Sequence, residues 1–182
     1  MKRGKLNVVD EQDKIIGEET REAVHEKGLL HREIHVWFYT PRGEIIFQHR
    51  SKSAETYPNL LDATVGGHVE IGQDYEDTAI KECFEETGVV LKPEDLTLTA
   101  MIRSKSFDYI TKKWNNVLRA VYAYRYNGEI SDLKVEKGKS VGFDAWAVDT
   151  LFNISDADKK KFIKSIFDKD VLNVFSNIKN LL

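Results

Sequence analysis

The sequence is short of the features that mark membrane, secreted and nucleic-acid-binding proteins. Its longest uninterrupted apolar run, residues 120–124, is far below the roughly 20 residues that a membrane-spanning helix needs. The charged start, residues 1–5, is followed by too few apolar residues for the core of a secretory signal peptide. With 27 basic against 30 acidic side chains, the chain lacks the basic excess that neutralises duplex phosphates. These absences predict a cytoplasmic protein that binds neither membranes nor nucleic acid, and leave small anionic molecules as partners.

Cysteine and proline are scarce as well. A single cysteine, Cys83, excludes an internal disulfide and a cysteine-built metal cage, and it fits a reducing compartment. The three prolines are scattered, so they form no rigid linker. Because 182 residues are enough to bury one core, we expect a single domain over residues 1–182. The oligomeric state is open, a homodimer included.

The strand and turn signals predict a fold built partly from hairpins. Two short apolar runs, 6–9 and 14–17, flank a turn, and a short helix over 20–26 then ends at a glycine. Residues 1–30 are therefore expected to form an N-terminal arm. A second hairpin is predicted at 33–40 and 44–49, with later strands at 96–104, 117–126 and 142–148. Hairpins without strict strand–helix alternation indicate an α+β or mixed-sheet α/β fold.

Two longer segments have helical periodicity. Residues 74–87 place Ala79, Ile80, Cys83 and Phe84 on one face, and Gly88 supplies a stop signal. The cysteine is thus expected to be a small core residue. The tail, residues 156–182, alternates lysines with apolar residues as an amphipathic helix does. We therefore predict a C-terminal helical segment whose lysines face solvent.

Three glutamates carry the strongest chemical signal. On a helix, Glu82, Glu85 and Glu86 occupy positions i, i+3 and i+4, so their carboxylates share one face. Like charges this close repel unless a cation lies between them, and hard oxygen ligands suit Mg²⁺ or Mn²⁺. Gly66 and Gly67 just upstream leave the backbone bare for close approach to a metal or a phosphate. The alternative for the glutamates alone is a solvated acidic helix face.

The segment 67–89 resembles the Nudix box, G-x5-E-x7-R-E-U-x-E-E-x-G-U, in which U is a bulky apolar residue. Cys83 fills the first apolar position loosely, while Gln73 and Lys81 stand where the family has Glu and Arg. In the family those two residues pair, and we expect Gln73 and Lys81 to form a weaker hydrogen-bonded brace. The positions that match outright are Gly67, Glu82, Glu85, Glu86, Gly88 and Val89.

Residues 7–90 are also similar to the Nudix branch that includes isopentenyl diphosphate isomerase. Matching segments include Arg21–His25, Gly28–Arg32 and Gln48–Ser51. That enzyme needs a cysteine before the Gly-His of the loop, and this chain has Gly66 there. It also uses a metal site of histidines and late-strand carboxylates, where this chain reads Trp114-Asn115-Asn116. Isomerase chemistry is therefore a lesser alternative.

The resemblance implies an α/β/α sandwich with a mixed, curved sheet, and an enzyme that hydrolyses a phosphoanhydride bond. The expected substrate is a nucleoside diphosphate linked to another moiety, attacked by a metal-activated water. Glu82, Glu85 and Glu86 are the expected metal ligands and catalytic residues, with the carbonyl of Gly66 as a further ligand. Glu85 or Glu86 is the expected general base, because the late acidic position holds Lys139 or Ser140. A sensor that binds a nucleotide or sugar diphosphate without turnover remains open.

The substrate contacts are predicted from residues near the glycines. Arg50 and Lys52 end the second hairpin strand, where basic side chains can hold a phosphate. Gly67 and His68 follow in the loop, and we expect His68 to touch the substrate. For the other histidines, His25, His31 and His35, the spacing fits no zinc pattern, so core or capping roles are expected.

Overall fold

The computed structural model describes residues 4–182, so residues 1–3 of the predicted arm and of the charged start lie outside it. The strands are β1 Lys5–Val9, β2 Ile15–Thr20, β3 His31–Tyr39, β4 Glu44–Arg50, β5 Leu61–Asp62, β6 Val65–His68, β7 Thr97–Asp108, β8 Lys113–Arg125 and β9 Ser140–Ala147. The α-helices are α1 Arg21–Lys27, α2 Tyr75–Thr87, α3 Val148–Phe152, α4 Asp156–Lys159 and α5 Lys169–Lys179. In the range 4–182, no helix is both long and apolar enough to cross a bilayer.

Strand β3 is the centre of a mixed sheet. It pairs antiparallel with β1, β4 and β6, and parallel with β8 over the whole of His31–Tyr39. The sheet is completed by β2 beside β1, β5 and β9 beside β4, and β7 beside β8. Because β6 is short and pairs with the first half of β3, it leaves the second half to β4. This arrangement places the Gly66-Gly67 segment at the middle of the sheet.

Alternate residues of β3 and β4 bury their side chains on opposite faces of the sheet. On one face Ile34, Val36 and Ile46 pack with residues of α2, among them Ala79 and Cys83. On the other face the C-terminal helices pack against the aromatic and aliphatic residues Trp37, Tyr39, Ile45 and Phe47. The sheet therefore lies between two helical layers, and the predicted α+β sandwich with a mixed sheet is confirmed. Cys83 is buried in the first core, as expected.

The N-terminal hairpin is joined to the main sheet. Val8 of β1 pairs with His31, and Leu6 forms an isolated bridge with Glu70. At the turn of the hairpin, the guanidinium of Arg32 donates to a carboxylate oxygen of Asp13 at 2.7 Å. Within the described part of the predicted arm, residues 4–30, the chain thus extends the sheet edge and then forms α1.

The C-terminal segment differs from the continuous amphipathic helix suggested by its periodicity. Helix α4 ends at Lys159, a 3₁₀ turn covers Lys164–Phe167, and α5 begins at Lys169. Between α4 and the 3₁₀ turn, the backbone N–H of Leu61 donates to the carbonyl of Lys161, and the backbone N–H of Ile163 donates to the carbonyl of Leu61. The predicted C-terminal helical segment therefore consists of separate short helices, because the backbone at 161–163 hydrogen-bonds to β5 and Phe162 is buried against the sheet.

Candidate active site

Helix α2 presents the glutamates and has well-formed ends. At its start, a side-chain oxygen of Asp74 accepts from the backbone of Asp77 at 2.8 Å. At its end, Gly88 adopts a left-handed conformation with φ 72° and donates to the carbonyl of Phe84. These caps confirm the helix predicted at 74–87, with the N-cap at its first residue.

The three glutamates differ sharply in exposure. The side chain of Glu85 is 48% exposed, that of Glu82 is 13% exposed and that of Glu86 is 1% exposed. Glu82 lies against β6: a Cβ placed on Gly67 would be 2.7 Å from the carboxyl carbon of Glu82. A side chain at position 67 would therefore push this carboxylate away from its position over the strand. Burial also raises the pKa of Glu82.

Glu86 is the deepest of the three and has two partners. The side-chain amide of Gln48 donates to Glu86 Oε2 at 2.9 Å, and Lys139 Nζ donates to Glu86 Oε1. Gln48 is itself buried and is 3.4 Å from the carbonyl of Thr64. Burial raises the pKa of Glu86 to about 7, even though Lys139 and Gln48 favour its ionised form. A carboxylate in such a place can remain ionised only with a cation nearby.

Two lysines supply positive charge to the glutamates. Lys139 Nζ lies 3.9 Å from Glu82 Oε2 in addition to its contact with Glu86. Lys81 Nζ lies 3.8 Å from Glu82 Oε1 and 3.7 Å from Glu85 Oε2. Burial alone would lower the pKa of each lysine, but the neighbouring carboxylates outweigh it and raise both values. Each box glutamate thus faces at least one ammonium group.

The predicted brace between Gln73 and Lys81 does not occur in the structure. Lys81 instead lies 3.5 Å from Glu70 Oε2, besides its contacts with the box glutamates. Gln73 accepts a hydrogen bond from the hydroxyl of Thr78 at 3.2 Å. The hypothesis is wrong because several carboxylates attract the ammonium more strongly than a neutral amide does.

The carboxylates fit a hard divalent cation. Glu82 contacts the bare backbone of Gly67, Glu85 and Glu86 follow it on the same helix, and the donor atoms of all three side chains are oxygens. Gly66 is adjacent in β6, and a Cβ built there would face the opposite side, 3.3 Å from the ring of His35. A metal site formed by Glu82, Glu85 and Glu86, with the Gly66 carbonyl as a further ligand, stays a prediction.

The opposite face of β6 carries a cluster of histidines. His25 of α1, His31 of β3 and His68 of β6 each offer a ring nitrogen, and these atoms all lie within 4.8 Å of one another. His25 Nδ1 contacts the carbonyl of Trp114 at 2.8 Å, and His31 Nδ1 contacts that of Leu29 at 3.0 Å. A carbonyl can only accept, so both neutral rings carry the proton on Nδ1. His25 Nε2 then accepts from His68 Nε2 at 3.1 Å, and a metal ion in the cluster would replace this hydrogen bond.

The same cluster holds unpaired polar atoms. His31 Nε2 has no hydrogen-bond partner among the residues described, although His31 is fully buried. Nearby on β8, Asn116 donates to the carbonyl of Gly28, while the side-chain oxygens of Asn115 and Asn116 are buried without a partner in residues 4–182. Burial lowers the pKa of His25, His31 and His68, which keeps their rings neutral. Neutral imidazoles with a free lone pair are metal ligands.

The structure places the predicted substrate residues in separate parts of the molecule. Arg50 donates to the carbonyl of Thr56 and to Asp62 Oδ2 at 3.0 Å, so its guanidinium holds the following loop. Lys52 is exposed at the start of that loop. His68 points to the histidine cluster, and Gly67 contacts Glu82 on the other face. The sequence prediction therefore grouped residues that the structure separates.

Sequence reasoning missed three features of this region. Gln48 directly follows the apolar run 45–47 in β4, and that position could have marked it as a buried hydrogen-bond donor. Lys139 was noted only as a departure at an acidic position, but its partner Glu86 is 53 residues away in the chain. The histidines gather because β3 pairs with β6 and α1 packs on β8, which sequence spacing does not reveal.

Comparisons with known proteins agree on the family. A family model described as the NUDIX domain matches residues 29–169. A protein of Clostridium acetobutylicum, named an uncharacterized Nudix hydrolase, is 30% identical over 154 residues, which cover 83% of this chain and 73% of that protein. One of Streptomyces coelicolor with the same description is 32% identical over 126 residues, covering 69% of this chain and 66% of that protein.

Solved structures share the fold at lower identity. DR0079 from Deinococcus radiodurans superposes with a TM-score of 0.67 at 20% identity, covering 95% of this chain and 98% of that chain. The NUDIX domain of Shewanella oneidensis NrtR, solved with ADP ribose, has a TM-score of 0.58 at 12% identity, covering 82% of this chain and 87% of that chain. With its capped helix of glutamates and these matches, the chain belongs to the Nudix family of hydrolases.

Proposed function

We propose that this protein is a Mg²⁺- or Mn²⁺-dependent hydrolase that cleaves a phosphoanhydride bond in a nucleoside diphosphate linked to another moiety. The observation that carries the proposal is the position of the Glu82 carboxylate over the bare backbone of Gly67, beside Glu85 and Glu86. A merely solvated acidic face would leave all three side chains in water. Here Glu82 and Glu86 are largely buried, and Lys81 and Lys139 supply two positive charges against the three negative charges of the box glutamates, which leaves an excess that a metal ion would offset.

In this proposal, each residue of the site would have a distinct role. Glu82, Glu85 and Glu86 hold the metal ion, with the carbonyl of Gly66 as a further ligand. A divalent cation there would neutralise the diphosphate and lower the pKa of a bound water. Glu85 accepts the proton of the attacking water, because it is the most exposed of the three and both oxygens of Glu86 are already engaged. Gln48 fixes the orientation of Glu86.

A nucleotide-like substrate is supported by fold and by charge. The NrtR domain that shares this fold was solved with ADP ribose, a nucleoside diphosphate linked to a sugar. Lys52, exposed beside the loop that Arg50 holds, is available to a substrate phosphate. We propose that Arg50 shapes this loop, and that Gly67 admits the substrate phosphates close to the backbone.

Two other functions remain as alternatives with distinct expectations. A sensor would bind the same diphosphate without turnover, yet it gains nothing from three carboxylates that suit a metal. An isomerase of isopentenyl diphosphate needs a cysteine where this chain has Gly66, and carboxylates where it has Asn115 and Asn116. Hydrolysis is the function that the retained glutamates support best.

A product-mass and phosphate-release screen tests the proposal. It would cover nucleoside di- and triphosphates, sugar nucleotides, dinucleotide polyphosphates and isopentenyl diphosphate, with and without Mg²⁺. We expect metal-dependent hydrolysis that falls at least about a hundredfold in Glu85→Gln and Glu86→Gln. Glu76→Gln is the matched control, because Glu76 is exposed in the first turn of the same helix. Activity that survives metal removal, or both box substitutions, would exclude the proposed mechanism.

A second binding activity is favoured by the histidine cluster. We propose that His25, His31 and His68 bind a borderline divalent cation such as Zn²⁺ or Co²⁺. The amide oxygen of Asn115 is a candidate further ligand, because Asn115 lies on the same face of β8 as Val117, which pairs with His31. The carbonyls of Trp114 and Leu29 support this by fixing the tautomers of two of the rings. A site made of imidazoles and amides selects such ions over Mg²⁺, so it would not serve as the hydrolytic metal site.

A further inference from the structure

Lys139 enters the glutamate cluster from a loop that the fold holds in place. The loop follows the 3₁₀ turn Ile130–Asp132 and runs into β9, with Gly138 in a left-handed conformation at φ 85°. The carbonyl of Lys139 accepts from the backbone of Ser51 at 2.9 Å, and the next residue, Ser140, pairs with Arg50. The backbone at 139 is thereby fixed beside the end of β4, the strand that contains Gln48.

The ammonium of Lys139 is surrounded by carboxylates. It contacts Glu86 Oε1, lies 3.9 Å from Glu82 Oε2 and lies 3.3 Å from Glu136 Oε2. The other oxygen of Glu86 is taken by Gln48. Both oxygens of this buried carboxylate are thus occupied by side chains of the protein itself. A metal ion cannot use Glu86 Oε1 while the ammonium is there, because two cations at one oxygen repel strongly.

We propose that Lys139 is a resident cation of the glutamate site and competes with one divalent ion for Glu86. The inference rests on the proposed metal-dependent function and adds a determinant of metal affinity. When an ion binds Glu86, the ammonium moves off that oxygen and remains near Glu82 and Glu136. Without an ion, Lys139 compensates the charge of Glu86, so the empty site is not left with an unpaired buried carboxylate.

Metal affinity in the absence of substrate tests this directly. Mn²⁺ binding would be measured by electron paramagnetic resonance at pH 8 for the native protein and for Lys139→Met, Lys139→Arg and Lys137→Met. We expect roughly tenfold tighter binding in Lys139→Met, since the removal of a cation near 4 Å from a carboxylate changes cation affinity by this order. Lys139→Arg keeps the charge and should bind Mn²⁺ as weakly as the native protein does.

Lys137→Met is the matched control, since Lys137 is exposed in the same loop and forms no ion pair within residues 4–182. Thermal unfolding is the second readout: Lys139→Met should be less stable than the native protein without metal, and should gain more from Mn²⁺. Unchanged or weaker Mn²⁺ binding in a folded Lys139→Met protein would overturn the inference. If the native protein hydrolyses a substrate but Lys139→Met binds Mn²⁺ with the native affinity, the proposed function holds and the inference does not. If Lys139→Met binds Mn²⁺ more tightly but no substrate is hydrolysed, the inference holds and the proposed function does not.

Discussion

Gly67 and Glu82 are in contact across β6 and α2, and a single methyl group at position 67 would collide with the carboxyl carbon at 2.7 Å. The backbones of both residues are held, because β6 is paired with β3 and the helix is packed on the sheet, so the Glu82 side chain is the part that would have to move. The bare backbone at 67 therefore determines where the first glutamate of the box can stand.

Gly67→Ala should displace the Glu82 carboxylate. We expect a loss of about 1–3 kcal/mol in the free energy of unfolding, since the added carbon overpacks a closed contact. Mn²⁺ affinity and metal-dependent hydrolysis should fall together. Gly142→Ala in β9 is the control, because a Cβ there meets nothing within 4 Å among the described residues. Equal unfolding midpoints and equal Mn²⁺ affinities for the two variants would contradict this expectation.

Gln48→Met should destabilise the protein through Glu86. The methionine has a similar volume but leaves Glu86 Oε2 without its donor, and an unsatisfied buried group costs about 1–3 kcal/mol. Urea unfolding at pH 8 measures the difference, with Gln12→Met in the exposed N-terminal turn as the control. If Gln48→Met unfolds at the native urea concentration, the bond to Glu86 contributes nothing to stability.

His35 should make the protein sensitive to acid. Burial, with Arg119 nearby, lowers the pKa of His35 from 6.5 to about 4. The unfolded chain then takes up a proton below pH 6.5 while the folded protein does not, so stability is complete above pH 6.5 and is lost as the pH falls toward 4. The loss attributable to this residue is at most about 3 kcal/mol.

His35→Gln should remove that part of the pH dependence. The measurement is the free energy of unfolding between pH 7.5 and 4.5 for the native protein, His35→Gln and His49→Gln. His49→Gln is the control, because His49 lies on β4 and is not part of the histidine cluster. We expect its free energy of unfolding to change with pH as that of the native protein does. Parallel curves for the native protein and the His35 variant would refute the assignment.

Co²⁺ titration should reveal the proposed histidine site by its visible absorption bands. We expect a one-to-one complex in the native protein and in His49→Gln, and loss of the bands in His31→Gln and His68→Gln. Zn²⁺ should displace Co²⁺ and raise the unfolding temperature, since it binds the native state alone. Bands that persist in both cluster variants would show that Co²⁺ binds elsewhere.

The sequence predicted local structure well where the signals were local. Asp74 caps the start of α2 and Gly88 caps its end, each through contacts with residues a few positions away, and the structure has both caps. The C-terminal segment forms helices that are interrupted near Phe162, because Phe162 forms a bridge with Leu61 of β5, which lies far away in the sequence. Helical spacing cannot report such a competing partner.

The candidate site was predictable only in part for the same reason. The spacing of Glu82, Glu85 and Glu86 places them on one turn without knowledge of the tertiary fold. Lys139 and Gln48 reach Glu86 from different strands, and their approach depends on sheet register and on one loop conformation. Pairing across the sheet also decides that Gly67 and His68, although adjacent, face different sites.

The parallel pairing of β3 with β8 has a consequence for how the chain folds. Glu33 and Arg119, which form a partly buried ion pair across it, are 86 residues apart in the sequence. Such a distant pairing requires closure of a long loop, whereas the hairpins β1–β2 and β7–β8 join neighbouring segments. During synthesis, β3 leaves the ribosome long before β8 exists, so its β8-facing edge stays unpaired in the interval. We expect slow folding, with the hairpins formed first and the centre of the sheet closed last.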